Sequence, residues 1–286
     1  MNGWLFINKP LGLTSVQTLG KARRIIQGEK AGHAGTLDPL ASGVLPLAFG
    51  EALKLISVIS DCDKEYEFRV DWGKETDTGD KEGKITETSD VIPSKEEIEK
   101  IIPLFVGNIK QTPPKYSAIK IDGKRAYDLA REDKEFEMTE REIVIYDLVL
   151  IENDEKSAKF SVKCSKGTYV RSLAVDIARA LGTRGFVSEL TRTRVGNIAL
   201  KDCISLEDLE KNPCLHPIND SLLDISEFNI TQNEAIQLRL GIPILIRKYH
   251  NTDSKTMLAL YNKNPVALIT NENGYWKVIR GINLLH

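Results

Sequence analysis

Apolar and polar side chains alternate without a break along Lys64–Trp72, which is the pattern of a strand with one buried face. The face expected to be buried carries Tyr66, Phe68, Val70 and Trp72. Strand character also marks the segments 3–8, 143–151 and 158–164. Because one side of these strands is apolar and the other polar, we expect antiparallel strands that pack one face on a core.

Apolar residues at helical spacing predict four helices between these strands. Their approximate spans are 15–28, 94–104, 127–131 and 167–182. Ser15 is predicted to cap the first helix, and Ser94 and Glu97 form a capping box at the start of the second. Strands outnumber helices, and the sequence has neither a G-x-G-x-x-G motif nor a P-loop. We therefore predict an α+β fold with a mixed, largely antiparallel sheet flanked by helices.

The pattern changes after residue 224. A helix near 233–240 is followed by four short strands separated by Asn and Gly turns, at 242–246, 257–261, 265–270 and 275–280. Strands so closely spaced suggest a small barrel. We predict two domains, a main domain over 1–224 and a small β-barrel-like domain over 225–286.

Composition places the chain among globular proteins. Its 286 residues are 41% apolar and 28% charged, which excludes a disordered or collagen-like chain. The four cysteines include no C-x-x-C pair, so neither a disulfide framework nor a zinc knuckle is indicated. No apolar run approaches the roughly 18 residues of a membrane-spanning helix. We expect a cytoplasmic monomer that makes no membrane contact.

Charge is sorted along the chain although the formal net charge is only -2. Basic residues outnumber acidic residues by 6 to 3 over residues 1–60, by 6 to 2 over 109–131 and by 7 to 2 over 163–194. Three basic segments folded onto one surface would suit a partner with a phosphate backbone. Solvated surfaces of an ordinary enzyme produce the same pattern. On charge alone both interpretations stay open.

The loop 32–43, with the sequence G-H-A-G-T-L-D-P-L-A-S-G, is the most informative stretch. Its glycines and proline argue against helix and indicate a shaped loop. Asp38 precedes Pro39, and an isolated Asp-Pro pair is most often a simple turn. In a loop of small neighbours, the same residue is a preorganised carboxylate that a substrate can reach. His33 alone is more often a hydrogen-bonded loop residue than a catalyst.

A second cluster lies at 167–171, with the sequence G-T-Y-V-R. If this segment is extended, Tyr169 and Arg171 share one face. An arginine beside a carboxylate favours the ionised carboxylate, which a catalytic aspartate needs. A surface ion pair is an equally good explanation of Arg171. Tyr66, at the start of the alternating strand, is either a functional aromatic or ordinary packing.

Basic and aromatic residues are interleaved in the segment 115–127, which is a weak signal for RNA binding. The residues that carry it are Lys115, Tyr116, Lys120, Lys124 and Arg125. The sequence has no H-E-x-x-H motif, no histidine pair at helical spacing and no Ser/His/Asp order. We therefore predict no metal and no cofactor.

Six motifs follow one another in a definite order. They are Lys9-Pro10, the loop 32–43, K-E-Y at 64–66, P-P-K-Y-S-A at 113–118, G-T-Y-V-R at 167–171 and E-L-T-R at 189–192. With this order and spacing, the chain resembles the bacterial tRNA pseudouridine-55 synthases, strongly over about 3–200 and less over 225–286. The resemblance implies a pseudouridine synthase fold, a thumb-like RNA-binding loop at about 111–140, and a shortened or divergent RNA-binding (PUA-like) barrel at the C-terminus.

The resemblance also implies an activity and a site. The family isomerises a uridine in the T-loop of tRNA by breaking C1′–N1, turning the uracil and bonding C5 to C1′. Asp38 matches the essential aspartate, Tyr66 the aromatic that stacks on the base, and Arg171 the residue that keeps the aspartate ionised. Further matches to substrate-binding positions are His33, Tyr169, Leu190, Lys9 and Pro10. Whether Asp38 attacks C1′, attacks the base or removes the C2′ proton stays open.

A single carboxylate is enough for this chemistry. A glycosidase needs two carboxylates because it admits water and protonates a leaving group, whereas an isomerase does neither. Two other functions would use the same basic segments. One is a non-catalytic protein that binds or remodels tRNA, and the other is a synthase subunit that depends on a guide RNA.

Overall fold

The structure is a computed structural model that describes residues 1–117, 119–121, 123–132, 136–219, 225–246 and 256–284. Its fold is α+β, as the sequence predicts. In chain order the helices are α1 (Ser15–Ile26), α2 (Ile56–Asp61), α3 (Lys95–Ile101), α4 (Ala126–Arg131), α5 (Val170–Ala180), α6 (Leu206–Lys211) and α7 (Gln232–Arg239). The strands are β1 (Gly3–Lys9), β2 (Ala31–His33), β3 (Ala41–Phe49), β4 (Lys64–Trp72), β5 (Lys74–Thr76), β6 (Ile85–Thr88), β7 (Gly107–Gln111), β8 (Lys120–Ile121), β9 (Lys124–Arg125), β10 (Arg141–Asn153), β11 (Ser157–Cys164), β12 (Gly185–Val195), β13 (Ile198–Ala199), β14 (Ser226–Asn229), β15 (Ile244–Leu245), β16 (Thr256–Tyr261), β17 (Asn264–Glu272) and β18 (Tyr275–Gly281).

The chain forms two compact units, and each is interrupted in sequence. The first unit consists of Met1–Pro39, Gly43–Asp61 and Val195–His286. The second unit consists of Leu40–Ser42 and Cys62–Arg194. No helix in the described part of the chain is long and apolar enough to cross a bilayer.

The second unit is built on strands in the order β12-β4-β11-β10-β7. Strand β11 pairs antiparallel with β4 and β10, and β10 pairs antiparallel with β7. Phe68 and Trp72 are buried on β4, and Phe68 stacks on Phe160 of β11 with ring centroids 5.3 Å apart. Tyr66, at the start of the same face, is only half-buried. The other face carries ion pairs such as Lys159 to Glu67, 2.8 Å, as strict alternation requires.

The first unit is built on β1, which pairs antiparallel with β3 from Gly3↔Phe49 to Lys9↔Gly43. Helix α1 follows β1, but Thr14 and not Ser15 is its N-cap, so the predicted cap is wrong by one residue. The Thr14 hydroxyl accepts from the Gln17 N–H, and the Gln17 side chain accepts from the Thr14 N–H. The complete capping box at Thr14 leaves the Ser15 hydroxyl available for another partner.

The C-terminal residues of the first unit form a five-stranded sheet in the order β14-β16-β17-β18-β15. Strand β14 is parallel to β16, and the other pairs are antiparallel. Phe228 and Trp276 lie in one buried cluster of this sheet, whereas Leu258 and Leu268 pack in a cluster with Trp4. The predicted domain boundary falls between residues 224 and 225. Because residues 220–224 lie outside the described residues, this boundary stays a prediction.

Candidate active site

Asp38 lies in the loop between β2 and β3 of the first unit. Strand β2 pairs with β3 up to His33↔Leu47, and the Ala34 N–H donates to the Pro46 carbonyl at 2.9 Å. The chain then leaves the sheet, with Gly35 at φ +89°, a conformation that favours glycine. Leu37 is buried, whereas Asp38 and His33 are half-buried. The loop therefore anchors its apolar residue and leaves the carboxylate of Asp38 partly accessible.

The residues on either side of Asp38 are both held by the turn that precedes α1. The Ser15 hydroxyl accepts from the Leu37 N–H at 2.8 Å and donates to the Leu37 carbonyl at 3.0 Å. The Gly12 N–H donates to the Pro39 carbonyl at 2.8 Å. Asp38 is thus fixed through the backbone of both neighbours.

Lys9 is fully buried. Its ammonium donates to the carbonyls of Pro10 at 2.9 Å and Leu13 at 2.6 Å. These bonds supply partners for a buried charge and shape the turn over residues 10–13. The two carbonyls take two of the three N–H donors of the ammonium. Pro10 is exposed.

Arg171 is buried in the second unit with 5% of its surface exposed. Its guanidinium donates to the carbonyls of Thr78 at 2.8 Å and Tyr116 at 2.9 Å. It also lies 3.4 Å from the carboxylate of Asp80, which is equally buried. Asp80 in turn accepts from the Thr78 hydroxyl at 2.7 Å and from the Glu82 N–H at 3.0 Å. Arg171 is therefore held in one orientation by two carbonyls and a counterion.

The condition under which Tyr169 and Arg171 would share one face, an extended segment 167–171, is met at Tyr169 but not at Arg171. Tyr169 is extended and is the N-cap of α5, but Arg171 is already the second helical residue. The buried Gln111 side chain grips Tyr169 by accepting from its N–H at 2.8 Å and donating to its carbonyl at 3.1 Å. The Arg141 guanidinium lies over the Tyr169 ring, 4.6 Å from its centroid. The backbone of Tyr169 is thus held by Gln111 of β7, and its ring is covered by Arg141 of β10.

The two remaining candidates in the second unit lie on neighbouring strands of its sheet. Tyr66 lies opposite Val162 in the pairing of β4 with β11 and is half-buried. Leu190 lies on β12 and is 6% exposed. The next residue, Thr191, shares a hydrogen bond of 3.0 Å with the Ser42 hydroxyl. Leu190 is thus an apolar residue next to an anchored position of the strand.

The predicted RNA-binding residues lie on an excursion of the second unit. Lys115 is exposed and Tyr116 is half-buried. Strands β8 and β9 form a short hairpin in which Ile121 pairs with Lys124, and both Lys124 and Arg125 are exposed. The side chain of Lys120 lies outside the described residues, as do residues 118, 122 and 133–135 of the predicted thumb-like loop.

The three basic segments differ in how their charges are compensated. In 163–194, four of the seven cations have carboxylate partners: Arg171 with Asp80, Arg179 with Glu75, Arg184 with Glu87 and Arg194 with Glu65. In contrast, several exposed cations of the other two segments have no ion pair to a described residue: Lys21, Arg23, Arg24, Lys30, Lys110, Lys115, Lys124 and Arg125. Among the described residues, cations without an ion pair therefore concentrate in the first two segments.

Sequence reasoning missed three residues that hold the candidates in place, namely Ser15, Asp80 and Gln111. Ser15 was predicted as a helix cap, and a capping serine and a loop-holding serine look alike in sequence. Asp80 follows Thr78 and Gly79, and this group of turn residues was a signal for side chains that bond nearby backbone. Gln111 gives no local signal because its partner, Tyr169, is 58 residues away.

Comparison with known proteins agrees with these motifs. Residues 23–170 match the N-terminal domain of the TruB family of pseudouridylate synthases, and 171–224 match a tRNA pseudouridylate synthase B C-terminal domain. The chain is 44% identical to tRNA pseudouridine synthase B of Caulobacter vibrioides over 254 residues, covering 86% of this chain and 82% of that protein. It is 42% identical to that of Rhodospirillum rubrum over 299 residues, covering 99% and 97%.

Among solved structures, a Cbf5-Nop10-Gar1 complex contains a similar chain. The TM-score is 0.77 at 23% identity, with 98% of this chain and 85% of that chain covered. At 23% sequence identity, this similarity shows that the two chains share a fold. The sequence relatives extend over nearly the whole length, and on that basis the chain belongs to the TruB family of pseudouridylate synthases.

Proposed function

We propose that this chain is a tRNA pseudouridine synthase that isomerises uridine 55 in the T-loop without a cofactor, acting as a cytoplasmic monomer. Its family and the names of its relatives support the reaction. The geometric observation that carries the proposal is Asp38, a half-buried carboxylate on a loop whose residues Leu37 and Pro39 are both held by hydrogen bonds.

The reaction conserves every heavy atom of the nucleoside. The C1′–N1 bond breaks, the uracil turns within the site, and C5 bonds to C1′. The hydrogen on C5 leaves to solvent, and N1 ends with a proton, so neither water nor a redox partner is consumed. One carboxylate meets these needs, and a dry pocket protects the cleaved intermediate from hydrolysis.

The roles proposed for the other residues follow from their chemistry. Asp38 acts on the nucleoside, Tyr66 stacks on the uracil, and Arg171 keeps the aspartate ionised. Leu190 supplies apolar surface, and His33 fills space left when the base leaves its stack. Extraction of a base costs a few kcal/mol, and stacking on a protein aromatic offsets part of this cost. Extraction costs less when the target base lies in a loop, because loop bases are less tightly stacked.

The RNA backbone is the proposed partner of the uncompensated cations. Lys115, Lys124 and Arg125 are exposed and have no ion pair to a described residue, so binding of phosphate would not require them to leave a carboxylate. Arg184 and Arg194 would have to give up Glu87 and Glu65. We therefore assign phosphate contacts to the excursion at 115–125, with Tyr116 and Lys120 as further candidates there.

Tritium release tests the activity. The purified chain is incubated with an unmodified tRNA transcript that carries 5-tritiated uridine, and released tritium is counted. We expect release by the wild-type chain alone, and no release from position 55 in a matched transcript with cytidine there. Asp38→Asn should bind tRNA with about the same affinity and release nothing. Substantial turnover by Asp38→Asn would refute the role of Asp38.

The same assay separates the alternatives. A protein that only binds or remodels tRNA would release no tritium, and a subunit that depends on a guide RNA would release it only with its partners. Relatives named tRNA pseudouridine synthase B match at 42 to 44% identity, whereas the Cbf5 complex matches at 23%. The comparison therefore favours a synthase that works alone.

The salt dependence of tRNA binding tests the phosphate contacts. The triple change of Lys115, Lys124 and Arg125 to Gln should lower the slope of log K against log salt by about 2 to 3, because each lost contact removes about 0.7 to 0.9. The matched control changes the ion-paired Arg184 and Arg194 to Gln and should leave the slope unaltered. Equal slopes for the triple variant and wild type would refute the assignment.

A further inference from the structure

Ser15 occupies an unusual position for a serine at a helix start. It is the first residue of α1 and is 1% exposed, yet the helix is already capped by Thr14. Serine at such a position has modest helix propensity and tends to bond nearby backbone groups. The helix therefore gives no reason for a buried hydroxyl here, and its partner Leu37, 22 residues away, does.

The contact with Leu37 is a two-point grip on one residue. The hydroxyl accepts from the N–H at 2.8 Å and donates to the carbonyl at 3.0 Å, so both backbone groups of Leu37 are satisfied. Leu37 is 4% exposed, and its backbone groups would lack solvent if the hydroxyl were absent. The Gly12 N–H holds Pro39 in the same way on the other side of Asp38, at 2.8 Å.

The turn that makes both contacts is itself held by hydrogen bonds. The Lys9 ammonium holds the carbonyls of Pro10 and Leu13. Gly12 adopts φ +81°, which other residues rarely adopt. The backbone on both sides of Asp38 is thus attached to a turn that the Lys9 ammonium holds at two carbonyls.

We propose that Ser15 is a positioning residue for the reaction. Its hydroxyl fixes the backbone of Leu37, and this aims the carboxylate of Asp38 at the nucleoside. The proposal rests on the proposed function, since the aim of Asp38 matters only if Asp38 takes part in the isomerisation. A misplacement of about 1 Å in a reacting group can lower the rate about 100-fold, so loss of the grip should appear in the chemical step.

The test compares Ser15→Ala with Thr14→Ala. The second variant removes the helix cap next door and weakens α1, but it leaves the grip on Leu37 intact. Single-turnover tritium release, measured with enzyme in excess over tRNA, reports the chemical step. We expect Ser15→Ala to lower this rate about 10- to 100-fold with tRNA affinity changed less than about 3-fold. Thr14→Ala should stay within about 2-fold of wild type in both measurements.

Two outcomes of the rate measurement would overturn the proposal. One is a rate for Ser15→Ala within about 2-fold of wild type, and the other is an equal loss in both variants, which would mean that Ser15 acts only through helix stability. If Ser15→Ala fails to fold, Ser15→Cys replaces it, because a thiol nearly matches the size of a hydroxyl but is a weak donor and acceptor. An unchanged rate in Ser15→Cys would overturn the proposal as well.

Amide hydrogen exchange at Leu37 gives a readout that needs no activity. Exchange should be about 10-fold faster or more in Ser15→Ala than in wild type and unchanged in Thr14→Ala. If the wild type releases no tritium, the proposed function fails, and exchange alone decides whether Ser15 holds Leu37. Equal exchange in Ser15→Ala and wild type would overturn that hold whatever the activity.

Discussion

The pair formed by Arg171 and Asp80 permits a quantitative prediction about stability. Asp80 is 4% exposed, and its carboxylate faces Arg171 at 3.4 Å with two further donors, the Thr78 hydroxyl and the Glu82 N–H. Asp80→Asn keeps the volume and one acceptor oxygen but removes the counterion of a buried guanidinium. Arg171 would keep its hydrogen bonds to the carbonyls of Thr78 and Tyr116 but lose the charge of Asp80.

The expected magnitude follows from the number of partners that remain. Complete removal of one member of a buried pair costs about 3 to 5 kcal/mol. Because asparagine still accepts hydrogen bonds, we expect Asp80→Asn to lower the free energy of unfolding by about 2 to 3 kcal/mol, in the upper part of the range of about 1.5 to 3 kcal/mol for hydrogen bonds to charged groups. This loss corresponds to a fall in Tm of about 4 to 12 °C for a unit of this size.

A double-mutant cycle isolates the charge pair. Arg171→Met removes the counterion of the buried Asp80 carboxylate. The combination of Arg171→Met with Asp80→Asn removes both charges. Urea unfolding of the full chain should show a coupling of about 1 to 3 kcal/mol between the two changes. Asp77→Asn in the same turn, where the carboxylate is exposed, is the control and should cost under about 1 kcal/mol. Strict additivity of the two changes would refute the reasoning.

Three further predictions concern other parts of the molecule. Burial raises the pKa of Glu51, but hydrogen bonds from Lys54 and the Asn283 N–H outweigh burial and hold the pKa below the usual 4.5. The ionised Glu51 therefore stabilises the fold above about pH 4.5, and this stabilisation is lost as the pH falls further. The difference in urea midpoint between wild type and Glu51→Gln should shrink on acidification, and a difference independent of pH would contradict this. Burial raises the pKa of the Cys164 thiol to about 11. Iodoacetamide at pH 8 should therefore modify the exposed Cys214 in the native protein and Cys164 only after unfolding. Detection of modified Cys164 in the native protein by mass spectrometry would contradict its burial. A Cβ at Gly185 would lie 2.8 Å from Val70 Cγ1 and 2.9 Å from Ala178 Cβ, both fully buried, so Gly185→Val should cost about 1 to 3 kcal/mol in thermal unfolding, and an unchanged Tm would contradict the close packing.

Local patterns predicted much of the secondary structure because they reflect local physics. The alternation over Lys64–Trp72 and the capping box at Ser94 both specify an element without knowledge of distant residues, and both elements are present. Strand β12 was missed because Arg192 is fully buried within it, and a charged residue at an inward position hides the pattern.

The site was predictable in its residue types but less so in its support. The glycines and the proline around Asp38 marked a shaped loop, whereas the residues that hold the loop come from elsewhere in the sequence. Ser15 and Thr14 are adjacent and are both good caps, so local rules could not decide which one would cap and which one would reach Leu37. The basic segment 163–194 raised the same problem, because carboxylates distant in sequence neutralise much of it.

The interrupted first unit has a consequence for synthesis on the ribosome. The indole N–H of Trp4 donates to the carbonyl of Ile218, 214 residues later, at 3.1 Å, and Trp4 shares its buried cluster with Leu258 and Leu268. Residues 62–194 can find their partners while translation continues, and β1 can pair with β3 early, but the Trp4 side chain is covered completely only when the last part of the chain has been made. The indole of Trp4 is therefore among the first apolar groups to emerge and among the last to be completely covered, and nascent chains stalled before residue 218 should depend on chaperones to stay soluble.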